Sequence, residues 1–147
     1  LPNIFNKAHY YHDIIYSKSL SYYLSHEFKN FPQEFSVSLK KMIKKGNNIP
    51  FKKYLEAINY QNKIIAFFEK LFDTFDFLID LSTFNSAPIK KSNGVEDHNL
   101  IWTMGHLPSI SLPVLKDKKN LPVGIQINSR KYTDYKLLKF AKKISKK

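Results

Sequence analysis

The stretch GHLPSISLPVLKDKKNLPVGIQI, residues 105–127, contains three prolines within a pattern that is otherwise typical of β-strand. Apolar and small polar residues alternate on both sides of the charged KDKKN loop, so each side predicts a strand with one apolar face. Proline has no N–H to give to a sheet ladder, and sheets tolerate it at the start of a strand or on an edge. We therefore expect Pro108 and Pro122 to begin strands, and Pro113 to lie near a strand end or on a sheet edge.

The first half of the chain predicts three helices. Apolar residues recur at three- and four-residue steps over residues 5–29, over 32–45 and from Asn48 to about Asp73, as they do on the buried face of a helix. Gly46 follows a run of lysines at the end of the second helix, where a glycine commonly provides a left-handed C-terminal cap. We expect residues 1–73 to form a helical part of the chain.

The second half predicts strands, a loop and a closing helix. An apolar run from Phe77 to Ile79, bounded by turn-forming residues, predicts a buried strand. A polar loop follows at residues 83–99, and NLIWTMG predicts a helical turn before the proline-bounded strands. Strands and loop together occupy residues 76–128. The closing helix is expected at residues 133–147, with Tyr135, Leu138, Ala141 and Ile144 facing inward. The predicted fold is α/β, a partial mixed sheet with flanking helices.

The composition favours a single cytoplasmic domain. The chain has 147 residues, of which 43% are hydrophobic, and it has no cysteine. This length can bury a real core, and the absence of cysteine excludes disulfides and thiolate chemistry. No apolar run approaches the ~20 residues that span a bilayer, and the first residues lack the pattern of a signal peptide. The sequence begins at Leu1 rather than at a methionine, so we expect it to be a piece of a longer protein.

The net charge leaves a second class of function open. A formal charge of +12 is typical of a module that binds an anionic partner or nucleic acid, because clustered cations release counterions from phosphate backbones. Arg130 is the only arginine among 24 basic residues, whereas proteins that read nucleic acid rely on the arginine fork. The lysines are also spread along the chain. We therefore expect no nucleic-acid partner, and we keep a stand-alone basic binding module as the alternative function.

No combination of side chains predicts a reaction centre within the chain. His9 and His12 have the spacing of two metal ligands on a helix, but no zinc-binding motif accompanies them. Asp97 and His98 are adjacent in a loop, and adjacent side chains rarely share a target. The serines of the first proline-bounded strand are expected to face sheet neighbours, and no Gly-x-Ser-x-Gly elbow occurs. We predict no catalytic residue, no metal and no cofactor.

Three motifs nevertheless occur in a recognisable order. DFLIDLSTFNSAP starts a strand with Asp76 and ends in Ala-Pro, GHLPSISLP places Gly105 before two prolines, and LPVGIQ begins at Leu121. In this order the motifs resemble the C-terminal part of the amidase signature family of amide hydrolases, which includes the A subunit of the glutamyl-tRNA amidotransferases. The family's middle motif is Gly-x-Pro-x-x-x-x-Pro, so Gly105, Pro108 and Pro113 match it with one extra residue. The helical stretch upstream of Asp76 is similar to the family's helical pair before that strand.

The chain departs from the family at several positions. Leu81 and Ser82 replace the usual proline and threonine after the strand, and Asn120 replaces the usual glycine before the last Leu-Pro. The family's catalytic lysine, bridging serine and nucleophilic serine lie upstream of the matched region, and nothing here resembles their Gly- and Ser-rich run. The resemblance therefore implies the C-terminal part of a hydrolase of carbon–nitrogen amide bonds that is inactive alone, and it leaves open whether this chain is itself an enzyme.

The resemblance also implies a place for this chain in a larger site. The C-terminal part of the family helps to wall the substrate cleft, which predicts Trp102, Asn85 and Ser86 as cleft-wall residues. A small amide substrate would bind only together with the missing N-terminal part. The expected protein partners are a complementary chain or a second copy of this chain, and no membrane partner is expected.

Overall fold

A computed structural model describes residues 2–83 and 99–145. By its internal contacts the chain divides into two compact units, Leu1–Ile64 and Ile65–Lys147. The helices are α1 (Ala8–Tyr23), α2 (Ser25–Asn30), α3 (Val37–Asn47), α4 (Phe51–Leu71), α5 (Leu100–Met104) and α6 (Asp134–Ser145), and the strands are β1 (Phe77–Leu81), β2 (Ser109–Lys116) and β3 (Pro122–Ser129). Within the described residues, no helix is long and apolar enough to cross a membrane.

The predicted first helix is two helices, so that expectation was wrong. The chain breaks at Leu24, whose φ of −101° and ψ of 14° lie outside the helical range. Next to the break, the Ser25 hydroxyl donates a hydrogen bond to the Tyr22 carbonyl oxygen at 2.8 Å. A short polar side chain that bonds nearby backbone in this way competes with the helical ladder.

Gly46 does not cap α3 in a left-handed conformation, as its position after the lysines had suggested. It lies inside the helix, which ends at Asn47 with Asn48 as its C-cap at φ −83°. The glycine is needed for another reason, since α1 packs against α3 at this point. A Cβ on Gly46 would lie 1.9 Å from the carbonyl oxygen of Ser17 and 2.8 Å from the Cβ of Ser21. Both serines are buried, so the two backbones touch where neither helix carries a large side chain.

Replacement of Gly46 by alanine should therefore destabilise the first unit. The added methyl meets backbone atoms of α1 and forces the helices apart, which costs about 1–3 kcal/mol. Urea denaturation monitored by far-UV circular dichroism measures the loss. Lys41→Ala is the matched control, because Lys41 is exposed on the same helix and alanine is the better helix former. Equal stability of the two variants would contradict the close contact.

The second unit contains a three-stranded sheet in the order β1-β3-β2. β3 is antiparallel to both neighbours, so the sheet is antiparallel throughout the described residues. Residues directly opposite one another share a face, which places Ile79, Ile127 and Ile110 together on an apolar face. Ser109 and Asn128 share the other, more polar face. The predicted α/β architecture of a partial sheet with flanking helices is confirmed, and the described strands contain only the antiparallel pairings of the mixed sheet that was expected.

The prolines lie where their chemistry allows them. Pro108 immediately precedes β2, and Pro122 is the first residue of β3. Pro113 lies within β2, which is an edge strand, and the β2 register shifts between Leu112 and Leu115. The expectations of strand starts and an edge position are confirmed, and Pro113 additionally occupies a bulge, where an unpaired residue is tolerated.

The closing helix turns a different face inward from the one predicted. Leu137 and Ala141 are buried, whereas Tyr135 is 81% exposed and Leu138 is 57% exposed. Only Ala141 of the predicted inward set is buried. The reason is the docking of α6 on the apolar face of the sheet, where the rings of Phe140 and Phe77 stack with centroids 4.2 Å apart. This contact sets the rotation of the helix and leaves Tyr135 outside.

Arg130 connects α4 to the end of β3. Its Nη2 donates hydrogen bonds to the Asp73 carboxylate at 2.5 Å and to the Glu69 carbonyl oxygen at 2.7 Å, and its Nε lies 3.1 Å from the Glu69 carboxylate. The hydrogen bond to Asp73 is the main reason why the pKa of Arg130 is raised. One guanidinium thus fixes the connection between β3 and α6 relative to the C-terminal end of α4.

Candidate functional site

A hydrogen-bonded network lies at the C-terminal end of β1, in the region that the sequence analysis assigned to a cleft wall. The Ser82 N–H donates to the Gly124 carbonyl oxygen at 2.8 Å and so extends the pairing of β1 with β3. The Asn99 side-chain amide donates to the Ser82 carbonyl oxygen at 2.6 Å. The indole N–H of Trp102 donates to the Asn99 side-chain oxygen at 3.2 Å. Asn99 therefore joins the sheet to α5.

Trp102 is a buried residue of this network. It is 9% exposed, and its ring lies 5.4 Å from the ring of Phe68 between centroids, tilted by 44°. Gly105, at the end of α5, approaches the same phenylalanine, because a Cβ there would lie 2.6 Å from the Phe68 ring. The tryptophan thus belongs to the core of the second unit. Asn85 and Ser86, the other two predicted wall residues, lie outside the described residues.

Gly124 and Ser82 approach each other closely across the β1–β3 pair. A Cβ on Gly124 would lie 2.7 Å from Ser82 Oγ and 3.1 Å from Ser82 Cβ. Ser82 Oγ is buried and makes no hydrogen bond within the part of the chain that the structure describes. Glycine at this point of the Leu-Pro-x-Gly-x-Gln motif is therefore explained by contact between strands.

Several polar residues with catalytic potential have structural partners. Asp73 pairs with Arg130, Asp76 pairs with Lys136, and Asp80 accepts the Leu81 N–H at 2.7 Å. Ser109 donates to the Asn128 side-chain oxygen at 2.5 Å, across the sheet, as expected. Over residues 2–83 and 99–145, no group of three or more acidic or histidine side chains is arranged to hold a metal ion.

The structure also contains a pocket that the sequence analysis missed. It has a volume of about 370 Å³ and is lined by His106, Leu107, Pro108, Lys131, Tyr132 and Asp134. The pocket lies between the start of β2 and the start of α6. These residues are adjacent because the Ser129 N–H donates to the Pro108 carbonyl oxygen at 3.1 Å. A pairing between distant segments is not visible in local periodicity, which explains why the pocket was not foreseen.

Two residues of this pocket have left-handed backbone. His106 has φ 54° and Tyr132 has φ 63°, in a region of backbone conformation that residues other than glycine rarely adopt. The pKa of His106 is lowered, first because the pocket walls desolvate its ring and second because Lys131 is nearby. His106 is exposed as a residue, so the desolvation is partial, and the lowered pKa favours the neutral imidazole.

Comparison with known families and proteins gives a consistent result. The family model described as Amidase matches residues 4–138 of this chain. The A subunit of the glutamyl-tRNA(Gln) amidotransferase of Borreliella afzelii is 32% identical over 152 residues, covering 91% of this chain and 31% of the relative. The chain thus spans about a third of the length of the curated relatives that it matches.

Solved structures show the same fold. A crystal structure of an amidase superposes with a TM-score of 0.75 at 18% identity and covers 86% of this chain and 32% of the other. A structure from a study of a vestigial protein complex and the origins of an s-triazine catabolic enzyme has the same TM-score and identity. It covers 90% of this chain and 32% of the other chain.

The left-handed residues refine the motif match. A glycine in a short motif is expected where φ is positive, and here Gly105 has φ −76° while His106 has φ 54°. Counted from His106, the spacing to Pro108 and Pro113 fits Gly-x-Pro-x-x-x-x-Pro without an extra residue. Asn120, which replaces the glycine before Leu-Pro, has φ 64°. Both positions thus have a backbone that favours glycine.

Loss of the Asn99 side chain should loosen the network around Trp102. Asn99→Ala leaves the buried indole N–H without its acceptor and removes a bond to β1, which costs about 1–3 kcal/mol. Trp102 is the only tryptophan, so its fluorescence reports the change directly, as a shift to longer wavelength and an earlier urea midpoint. Thr103→Ala, at an exposed position of α5, should leave both unchanged. An unshifted spectrum for Asn99→Ala would contradict the role of Asn99.

Proposed function

The chain belongs to the Amidase family, and from that premise we propose that it is the C-terminal portion of a hydrolase of carbon–nitrogen amide bonds whose nucleophile lies in another portion. The observation that carries the proposal is coverage, since nearly the whole chain matches only 31% of the relative's length. The catalytic lysine and serines that the resemblance implies belong upstream of the matched part. By itself this portion would be inactive.

The outer edge of β1 supports a continuation of the sheet. Backbone groups of an antiparallel strand point alternately toward one neighbour and the other. Because the Ser82 N–H points at β3, the N–H and C=O of Ile79 point the other way, toward the edge. Among the described strands β1 pairs with β3 alone. An edge with outward N–H and C=O groups is a template for another strand.

The apolar face of the sheet supports the same proposal. Phe77, Ile79 and Leu81 share this face, and Phe77 is covered by Phe140 of α6. Ile79 is 57% exposed and Leu81 is 37% exposed, although both lie on the face that a core would bury. Exposed apolar residues that continue a buried face are typical of a surface that another part of a domain covers.

The edge of β2 is a poorer template. Ser129 donates to the Pro108 carbonyl oxygen, so residues 109, 111 and 113 direct their backbone outward by the same alternation. The outward position at Pro113 has no N–H, and the neighbouring bulge twists the strand. Both features oppose pairing, so we propose that the missing portion adds its strand to β1.

The proposed cleft lies beyond the C-terminal end of β1, where the Ser82, Asn99 and Trp102 network is. Trp102, Asn85 and Ser86 are proposed to contribute to its wall, with Trp102 acting through Asn99 because its own ring is buried. A small amide would bind there only when the missing portion supplies the lysine and serines. That portion is expected on the same longer chain or on a complementary chain, with a second copy of this chain as the other partner.

The isolated chain should not hydrolyse simple amides. Amide hydrolysis is accelerated by a nucleophile, a proton acceptor and an oxyanion site, and in this proposal all three belong to the missing portion. Release of ammonia from benzamide or acetamide, measured with the purified chain, should equal the buffer blank. Addition of a separately produced amidase portion with the Ser- and Lys-containing segment should give a complex on size-exclusion chromatography and restore turnover. Robust turnover by the chain alone would refute the proposal.

The edge assignment makes a separate prediction. Ile79→Pro removes an N–H that points outward, so it should spare pairing with β3 and abolish complex formation with the catalytic portion. Ser111→Pro is the matched control on the β2 edge and should form the complex normally. Size-exclusion chromatography of the mixtures, with circular dichroism of each variant, makes the comparison. A reversed result, with Ser111→Pro blocking assembly and Ile79→Pro not, would assign the partner to β2.

A further inference from the structure

The pocket between β2 and α6 is separate from the network at the end of β1. It is bounded by Leu107 and Pro108 as apolar wall, by Tyr132 as aromatic rim, and by His106, Lys131 and Asp134 as polar groups. A volume of about 370 Å³ is the size of a site for a small organic molecule. The arrangement of one apolar side and one polar side fits a ligand that has both.

Two turns of the fold hold the left-handed residues of the pocket. The His106 N–H donates to the Thr103 carbonyl oxygen at 3.0 Å and the Leu107 N–H donates to the Trp102 carbonyl oxygen at 3.1 Å, which is the Schellman pattern at the end of α5. The Thr133 N–H donates to the Arg130 carbonyl oxygen at 3.2 Å and closes a turn with Tyr132 at its third position, where some β-turns have a positive φ. Glycine or asparagine is the usual residue at such positions. Here His106 and Tyr132 instead place larger side chains at the pocket.

The polar groups of the pocket favour an anion. Lys131 supplies a positive charge, and the imidazole of His106 and the phenol of Tyr132 can each donate a hydrogen bond. Asp134 is the one acidic group, and it lies in the first turn of α6, where the helix dipole favours a carboxylate. The donors outnumber the acidic group, and the chain as a whole carries a net charge of +12.

We propose that the pocket formed by His106, Leu107, Pro108, Lys131, Tyr132 and Asp134 binds a small carboxylate with a planar apolar body. The carboxylate lies between Lys131 and His106, and the planar part lies against Tyr132 and Pro108. This site does not rest on the proposed hydrolase function, because its residues and charges are all contained in this chain. Benzoate is the simplest molecule with both features.

Benzoate binding to the full chain tests the proposal by calorimetry and by NMR of the histidine imidazoles. We expect saturable binding that perturbs His106 and raises its pKa, since a bound anion favours the imidazolium and offsets Lys131. Affinity should therefore increase as the pH falls from about 8 to about 6. Benzamide, the neutral analogue, should bind at least about tenfold more weakly. Equal binding of the two, or no shift of His106, would overturn the proposal.

Charge variants test the assignment of groups. Lys131→Met should weaken benzoate binding by about tenfold or more, because it removes the charged donor. Asp134→Asn should tighten binding by roughly two- to fivefold, because it removes a like charge. Lys119→Met is the matched control, since Lys119 is an exposed lysine of the β2–β3 turn, and it should leave binding unchanged. Equal losses in the two lysine variants would show only general attraction to a basic protein and would overturn the site.

His106→Gly separates strain from function. Glycine adopts a φ of 54° without cost, so this variant should have a higher thermal midpoint than the parent and bind benzoate more weakly. A higher midpoint with unchanged affinity would exclude His106 from the site. Asp134→Asn provides the decisive reading if Lys131→Met does not fold, because weaker or unchanged binding in that variant would contradict an anion in the pocket.

Discussion

The second unit depends on β3, because both hydrogen-bonding edges of this strand are occupied. β1 pairs along one edge and β2 along the other, and Ile127 at the centre of β3 has no solvent exposure. Each part of the unit with functional potential is positioned from this strand. At one end, Gly124 has no side chain and so leaves room for Ser82. At the other end, the Ser129 N–H donates a hydrogen bond to the Pro108 carbonyl oxygen. The two candidate sites therefore lie at opposite ends of one rigid element.

The identity of a residue predicted its role where the role depends on that residue's own chemistry. A proline lacks an N–H in every context, so Pro108, Pro113 and Pro122 could be assigned to strand starts and an edge before any pairing was known. The helix over Phe51–Leu71 could be predicted equally well, because its apolar residues recur regularly over a long stretch. The prediction of an amidase-like partial sheet rested on motif order, which holds regardless of the exact register.

Expectations failed where a residue's role depends on what packs against it. Gly46 follows lysines as a cap would, yet its contact with Ser17 comes from a different helix. Tyr135 and Leu138 have helical spacing, but the stacking of Phe140 on Phe77 sets which face of α6 is buried. In the network at the end of β1, the Asn99 side chain bonds to Ser82, 17 residues before it, and to Trp102, 3 residues after it. No local sequence pattern reveals these side-chain hydrogen bonds. The pocket at His106 was hidden for the same reason, since it needs the pairing of β2 with β3.

The two glycine positions of the family motifs illustrate how a substitution can be either structural or functional. At Asn120 the replacement keeps the backbone of a turn that Asp117 already stabilises, because its carboxylate accepts the N–H groups of Lys119 and Leu121 at 2.8 Å each. Nothing beyond the turn is required to explain it. At His106 the replacement likewise keeps the backbone of a turn, because the His106 N–H donates to the Thr103 carbonyl oxygen at 3.0 Å and the Leu107 N–H donates to the Trp102 carbonyl oxygen at 3.1 Å, which closes the end of α5. The turns therefore explain the backbone at both positions. The two replacements differ in their side chains, because only His106 lines a cavity, together with Lys131. Only at His106 does the replacement add a side chain that can bind a ligand, whether or not the missing portion of the hydrolase is present.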